Sequence, residues 1–131
     1  MNAQQELFTA LLLRLRSVYK DKVFDGALPP ENTPYPFIYL GNTEDLDSFM
    51  TKSALFGKVK IYVHVWSNNP KKRGDLSAML FDIARTARGI ETTKNYGWCL
   101  SGKSEEIMPD TTTNEPLMHG ILTFEYKNWR L

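Results

Sequence analysis

In Val59-Lys60-Ile61-Tyr62-Val63-His64-Val65-Trp66 an aliphatic side chain takes every second place, the period of a strand with one face in a core. The alternate places hold Tyr62, His64 and Trp66, which are too aromatic for a face left wholly in water. Both faces therefore call for cover, from the chain's own helices or from a neighbouring subunit. A helix is predicted from Ala3 to about Tyr19, because Leu7, Phe8, Leu11, Leu12, Leu15 and Val18 recur at three- and four-residue spacing. A second begins after the strand. Asn69 suits an N-cap and Pro70 the first helical position, where a missing N–H costs nothing. Leu76, Met79, Leu80, Ile83, Ala84 and Ala87 form its inward stripe, Gly89 can stop it, and Phe81 lies off the stripe, placed to face a neighbour.

Elsewhere the pattern is shorter. Asp25-Gly26 and Pro29-Pro30 mark turns, and Pro34-Tyr35-Pro36 leads into a strand over Phe37–Leu40. From Gly41 to about Phe56 no period holds. Its acidic residues Glu44, Asp45 and Asp47 come first, and Phe49, Met50, Leu55 and Phe56 follow. The segment 42–56 reads either as a solvated loop tucking its apolar residues onto the core, or as a mobile arm that orders against a partner. Gly97 to Met108 reads as one strand, or as a strand interrupted by the polar run Ser101–Glu106. Pro109-Asp110 and Thr111–Asn114 resemble a hairpin connection, and a long strand runs from Leu117 to about Trp129. The order α-β-β-α-β-β predicts an α+β fold: a four-stranded, largely antiparallel sheet packed against two helices.

At 131 residues the chain, 1–131, is sized for one domain. Sixteen basic against fifteen acidic residues leave a charge of +1, which supplies no electrostatic basis for a dedicated nucleic-acid binder. A lone cysteine, Cys99, allows no internal disulfide and suits synthesis in a reducing cytoplasm. No apolar run approaches a membrane span, and no signal peptide is read.

Candidate chemistry is sparse. His64, His119 and Cys99 are the residues suited to a metal, yet no pair has ligand spacing in sequence, so two packed strand histidines and a semi-buried thiol are expected. There is no nucleophile elbow, no phosphate loop and no dinucleotide fingerprint. Ser101-Gly102-Lys103-Ser104 has only the tail of a phosphate loop, and Glu105-Glu106 point to opposite strand faces. Lys71-Lys72-Arg73 is the one basic cluster, at a helix start where the dipole disfavours it. No catalytic residue, cofactor or metal is expected, and the chain is not read as an enzyme.

The run Pro34-Tyr35-Pro36-Phe37-Ile38-Tyr39-Leu40, and then Ile61-Tyr62-Val63-His64-Val65-Trp66 before a helix, resembles the tail-completion (tail-terminator) proteins of long-tailed phages and prophages. The resemblance covers about residues 5–90. It departs at His64, where that family often has an acidic residue. What it implies is a virion structural protein, made in a bacterial host cytoplasm, that assembles as a ring, commonly a hexamer, at the tail–head junction. Such a ring terminates the tail tube and joins it to the head connector, with tail tube and connector proteins as partners and no membrane. DNA passes through without specific binding. On this reading Tyr62, His64, Trp66, Phe49, Met50, Leu55, Phe56 and Phe81 are candidate assembly residues, and Glu44, Asp45 and Asp47 candidate channel-lining acids. The alternatives are a small ligand- or peptide-binding module, a head-connector (stopper-type) ring protein, and a small enzyme with an unrecognised site.

Overall fold

The structure is a computed structural model that describes residues 2–46 and 56–131. Its first element, α1 (Ala3–Tyr19), has the bounds its periodicity predicts, and Asn2 caps it by accepting the Gln5 amide at 3.0 Å. Only Leu7, Leu11 and Leu15 of its apolar stripe are fully buried. Phe8 and Leu12 flank the core, and Val18 is 60% exposed. After a single tight turn the chain forms β1 (Val23–Asp25), then β2 (Phe37–Asp45), β3 (Gly57–Ser67), α2 (Arg73–Arg88), β4 (Tyr96–Asp110) and β5 (Leu117–Arg130). Asn69 and Pro70 open a short 3₁₀ turn that feeds α2.

The five strands make one mixed sheet in the order β1-β2-β3-β5-β4. The four-stranded expectation is corrected by β1, which pairs parallel to β2 through Val23–Ile38 and Asp25–Leu40. Three residues are too few to display a period, so sequence pattern could not reveal it. The other pairings are antiparallel, as expected. A second correction concerns Gly41–Asp45. These residues continue β2, because a bulge between Leu40 and Thr43 shifts the register and breaks the alternation. The stretch from Tyr96 to Asp110 is one strand with its own irregularity at Leu100/Gly102, and it takes in Pro109 and Asp110. Proline is tolerated there because β4 is an edge strand.

Both helices lie on one side of the sheet. Leu7, Leu11 and Leu15 of α1 and Leu76, Leu80, Ile83 and Ala87 of α2 meet Val59, Ile61, Val63 and Val65 of β3 and Leu122, Phe124 and Tyr126 of β5. Gly120 leaves room for that packing: a Cβ there would stand 2.9 Å from Leu80 Cδ1 and would oblige the leucine side chain to shift. Tyr126 is wholly buried and donates its hydroxyl to the Ala87 carbonyl at 2.7 Å, fastening the last turn of α2 to the central sheet. Burial pushes that phenol's pKa well up, an effect that nearby Arg14 partly offsets.

Candidate functional site

With both helices on the aliphatic side, the other sheet face has no helix over it among the described residues. Alternation and register place Tyr39 of β2, Tyr62, His64 and Trp66 of β3, and His119, Ile121 and Thr123 of β5 on this open face, all half-buried by one another. The cover that the sequence demanded for the aromatic side of β3 is therefore not supplied by either helix.

The open face is organised around Trp66. Its indole stacks on the His119 imidazole, ring centroids 3.7 Å apart and planes 9° from parallel. His119 Nε2 in turn lies 2.9 Å from His64 Nδ1, one ring nitrogen donating to the other, and Tyr39 packs against His64 at 6.1 Å. Burial depresses the His64 pKa. Burial, and then the neighbouring His64, push His119 down to about 4, with Asp110 acting weakly the other way. At neutral pH the pair is thus uncharged, compatible with an apolar contact. His119 was absent from the residues that the sequence put at an interface. Its partnership with His64 spans 55 residues and depends on strand register, so no local signal could have found it.

Past Trp66 the face opens into a groove of about 660 Å³ between the loop 28–35 and the hairpin loop 110–117. Trp66 and Phe37 line its floor, and Tyr35 packs on Phe37 at 5.4 Å. Glu31, Asp110 and Glu115 line it as well, whereas among the described residues no lysine or arginine does. Asp110 is fixed by the Thr112 amide and hydroxyl, which hold its pKa below the usual carboxylate range. At the opposite end of the same face Trp129 lies flat over Gly97, so close that a Cβ there would sit 2.3 Å from the indole, and Phe56 meets that indole edge-on at 6.3 Å.

The remaining sequence candidates divide. Phe81 is 60% exposed on α2, on the far side of the sheet from Tyr62, His64 and Trp66. Phe56 is equally exposed beside Trp129. Glu44 accepts a hydrogen bond from the Tyr62 hydroxyl at 3.1 Å, and Asp45 ends β2 opposite Val59. Asp47, Phe49, Met50 and Leu55 lie outside the described residues.

Cys99, expected to be semi-buried, is exposed, because strand alternation turns it away from buried Trp98. It lies far along β4 from the residue that faces His119, so the structure separates the thiol from the imidazole pair. Among the described residues no group of three or more His, Cys, Asp or Glu side chains is disposed to hold a metal ion. Nor is any helix among them long and apolar enough to cross a membrane.

A buried carboxylate that sequence reasoning passed over stands at the other end of the molecule. Glu6, on the inner side of α1, accepts from the Asn95 amide at 3.0 Å and from Asn95 Nδ2 at 2.7 Å. Burial would raise its pKa, but the Asn95 bonds and a Thr93 bond hold it below the usual value. This is a structural clamp between α1 and the approach to β4. Its only sequence signal was an acidic residue immediately before Leu7, where the packing stripe of α1 begins.

No family model matches the chain, and no curated protein matches it by sequence. Among solved structures, it is similar in fold to a chain described as "Virion of native gene transfer agent (GTA) particle", with a TM-score of 0.68 and 14% identity. The likeness spans 98% of this chain and 99% of that one, so the two share one architecture from end to end.

Proposed function

We propose that this chain is a phage or prophage virion structural protein. In this reading it forms a ring at the head-proximal end of a tail, ends the tail tube and joins it to the head connector. The observation that carries the proposal is the end-to-end likeness to a chain of a virion particle. It is supported by two unlike surfaces that no helix covers among the described residues: an aromatic sheet face with an acid-lined groove, and a helix layer with exposed Phe81. A closed ring is built from unlike faces that meet in sequence around an axis, so each subunit needs such a pair. The protein acts by assembly, without catalysis, on copies of itself, the tail tube protein and the connector. In this reading Glu44, on the Tyr62 face of β2, is the acid that would repel DNA in a channel and keep it moving, whereas the adjacent Asp45 points to the opposite face of the strand.

Electron microscopy of particles made without this chain tests the reading. Unjoined heads beside tails of normal or excessive length are expected. Complete, infectious particles would overturn it, and would favour the reading that the groove alone supports, a peptide-binding module.

A further inference from the structure

The outer surface of α2 carries Phe81, Arg85 and Arg88, spaced by four and three residues so that they share one stripe. All three are exposed, and among the described residues neither arginine is held in an ion pair. The stripe is therefore an apolar ring followed along the helix by two unengaged planar cations.

The groove has the opposite character. Its aromatic floor, Trp66 and Phe37 with Tyr35 beside them, suits a ring or the face of a guanidinium. Its carboxylates suit the guanidinium edge, which presents paired donors to both oxygens at once. Glu31 and Glu115 are exposed, and among the described residues neither is held in an ion pair. Among the described residues the groove has no cation of its own. One chain thus displays both halves of a contact, unsatisfied, and in places that cannot meet within a subunit. The groove opens beside the sheet face that carries no helix among the described residues, while α2 packs on the other side of the sheet.

We propose that the groove receives the Phe81–Arg85–Arg88 stripe of a second copy of this chain. Phe81 seats on the Trp66–Phe37 floor, and Arg85 and Arg88 engage Glu31, Asp110 and Glu115. The contact is heterologous, so repeating it builds a ring or an open filament. The inference rests on the self-assembly in the proposed function and names the surfaces that perform it.

Charge exchange tests it on exposed side chains, with an unchanged far-UV spectrum and melting temperature as the fold control. One variant carries Arg85→Glu and Arg88→Glu, the other Glu31→Lys and Glu115→Lys. Self-association is read by sedimentation velocity, at concentrations up to the solubility limit. The parent protein should assemble. Each variant alone should associate roughly tenfold or more weakly, because like charges then face each other. An equimolar mixture should regain assembly, since each variant's helix then meets the other's groove with opposite charge. Phe81→Ser should weaken association with no recovery on mixing.

A parent that stays monomeric, a charge variant that assembles like the parent, or a mixture that does not recover would each overturn the proposal. The outcome is separable from that of the virion reading. Charge-dependent assembly together with normal particles made without the chain would sink the virion reading alone. Charge-indifferent assembly together with unjoined heads and tails would sink this contact alone.

Discussion

The imidazole of His119 is held between two partners, stacked on Trp66 at 3.7 Å and bonded to His64 at 2.9 Å. Both histidines resist protonation in the folded protein, whereas in the unfolded chain they titrate near the ordinary value of 6.5. Between that value and about 4 the unfolded chain binds more protons, so stability should fall as pH drops through this window and the pair's contribution should level off below it. Denaturant midpoints measured across the window check this. His119→Phe keeps a ring on Trp66 and should flatten the slope; an unchanged slope would mean that the pair is not neutral when folded.

Val63 is fully buried at the centre of the sheet, flanked by Leu40 on β2 and Leu122 on β5. Val63→Asp should cost more than about 4 kcal/mol, since the carboxylate has no partner there. Loss of the cooperative melt is the expected reading. A melt retained near the parent temperature would place this side of β3 in solvent.

Gly97 is needed because the Trp129 indole occupies the space a side chain would take, 2.3 Å from a built Cβ. Gly97→Ala should displace the indole and cost about 1–3 kcal/mol. Urea titration gives the stability, and quenching of tryptophan fluorescence should show an indole newly open to water.

Glu6→Ala removes both acceptors of Asn95 and leaves half-buried donors unmatched. A loss of about 1–3 kcal/mol is expected at neutral pH. The folded pKa of Glu6 is depressed, so its stabilisation is present above the unfolded carboxyl value and fades as acid protonates the folded group. Parent and variant should therefore converge in stability at low pH; a gap that stays constant there would assign the loss to packing instead.

Period and capping chemistry made much of this fold readable. Leu7, Leu11 and Leu15 announce α1, Leu76 to Ala87 announce α2, and the alternation from Val59 to Val65 names the buried face of β3. What failed was local by nature. β1 has three residues, too few to show a period, and the bulge after Leu40 hides the second half of β2 by putting its alternation out of phase. The candidate surfaces were half legible. Tyr62, His64 and Trp66 declare an aromatic face, but the groove joins loops some eighty residues apart, and His119 meets His64 only through register.

An interior place of the sheet, one in from the β4 edge, is held by the latest strand in the chain. β5 threads between β3 and β4, so Val63 gains its second neighbour only once residues 117–130 have been synthesised. A nascent chain halted at the hairpin loop would carry β3 and β4 as two bare edges with nothing to zip them, a sticky intermediate that invites chaperones or clumping. Folding here waits for the translating ribosome, and its pace should follow the closing of distant strands more than the winding of either helix.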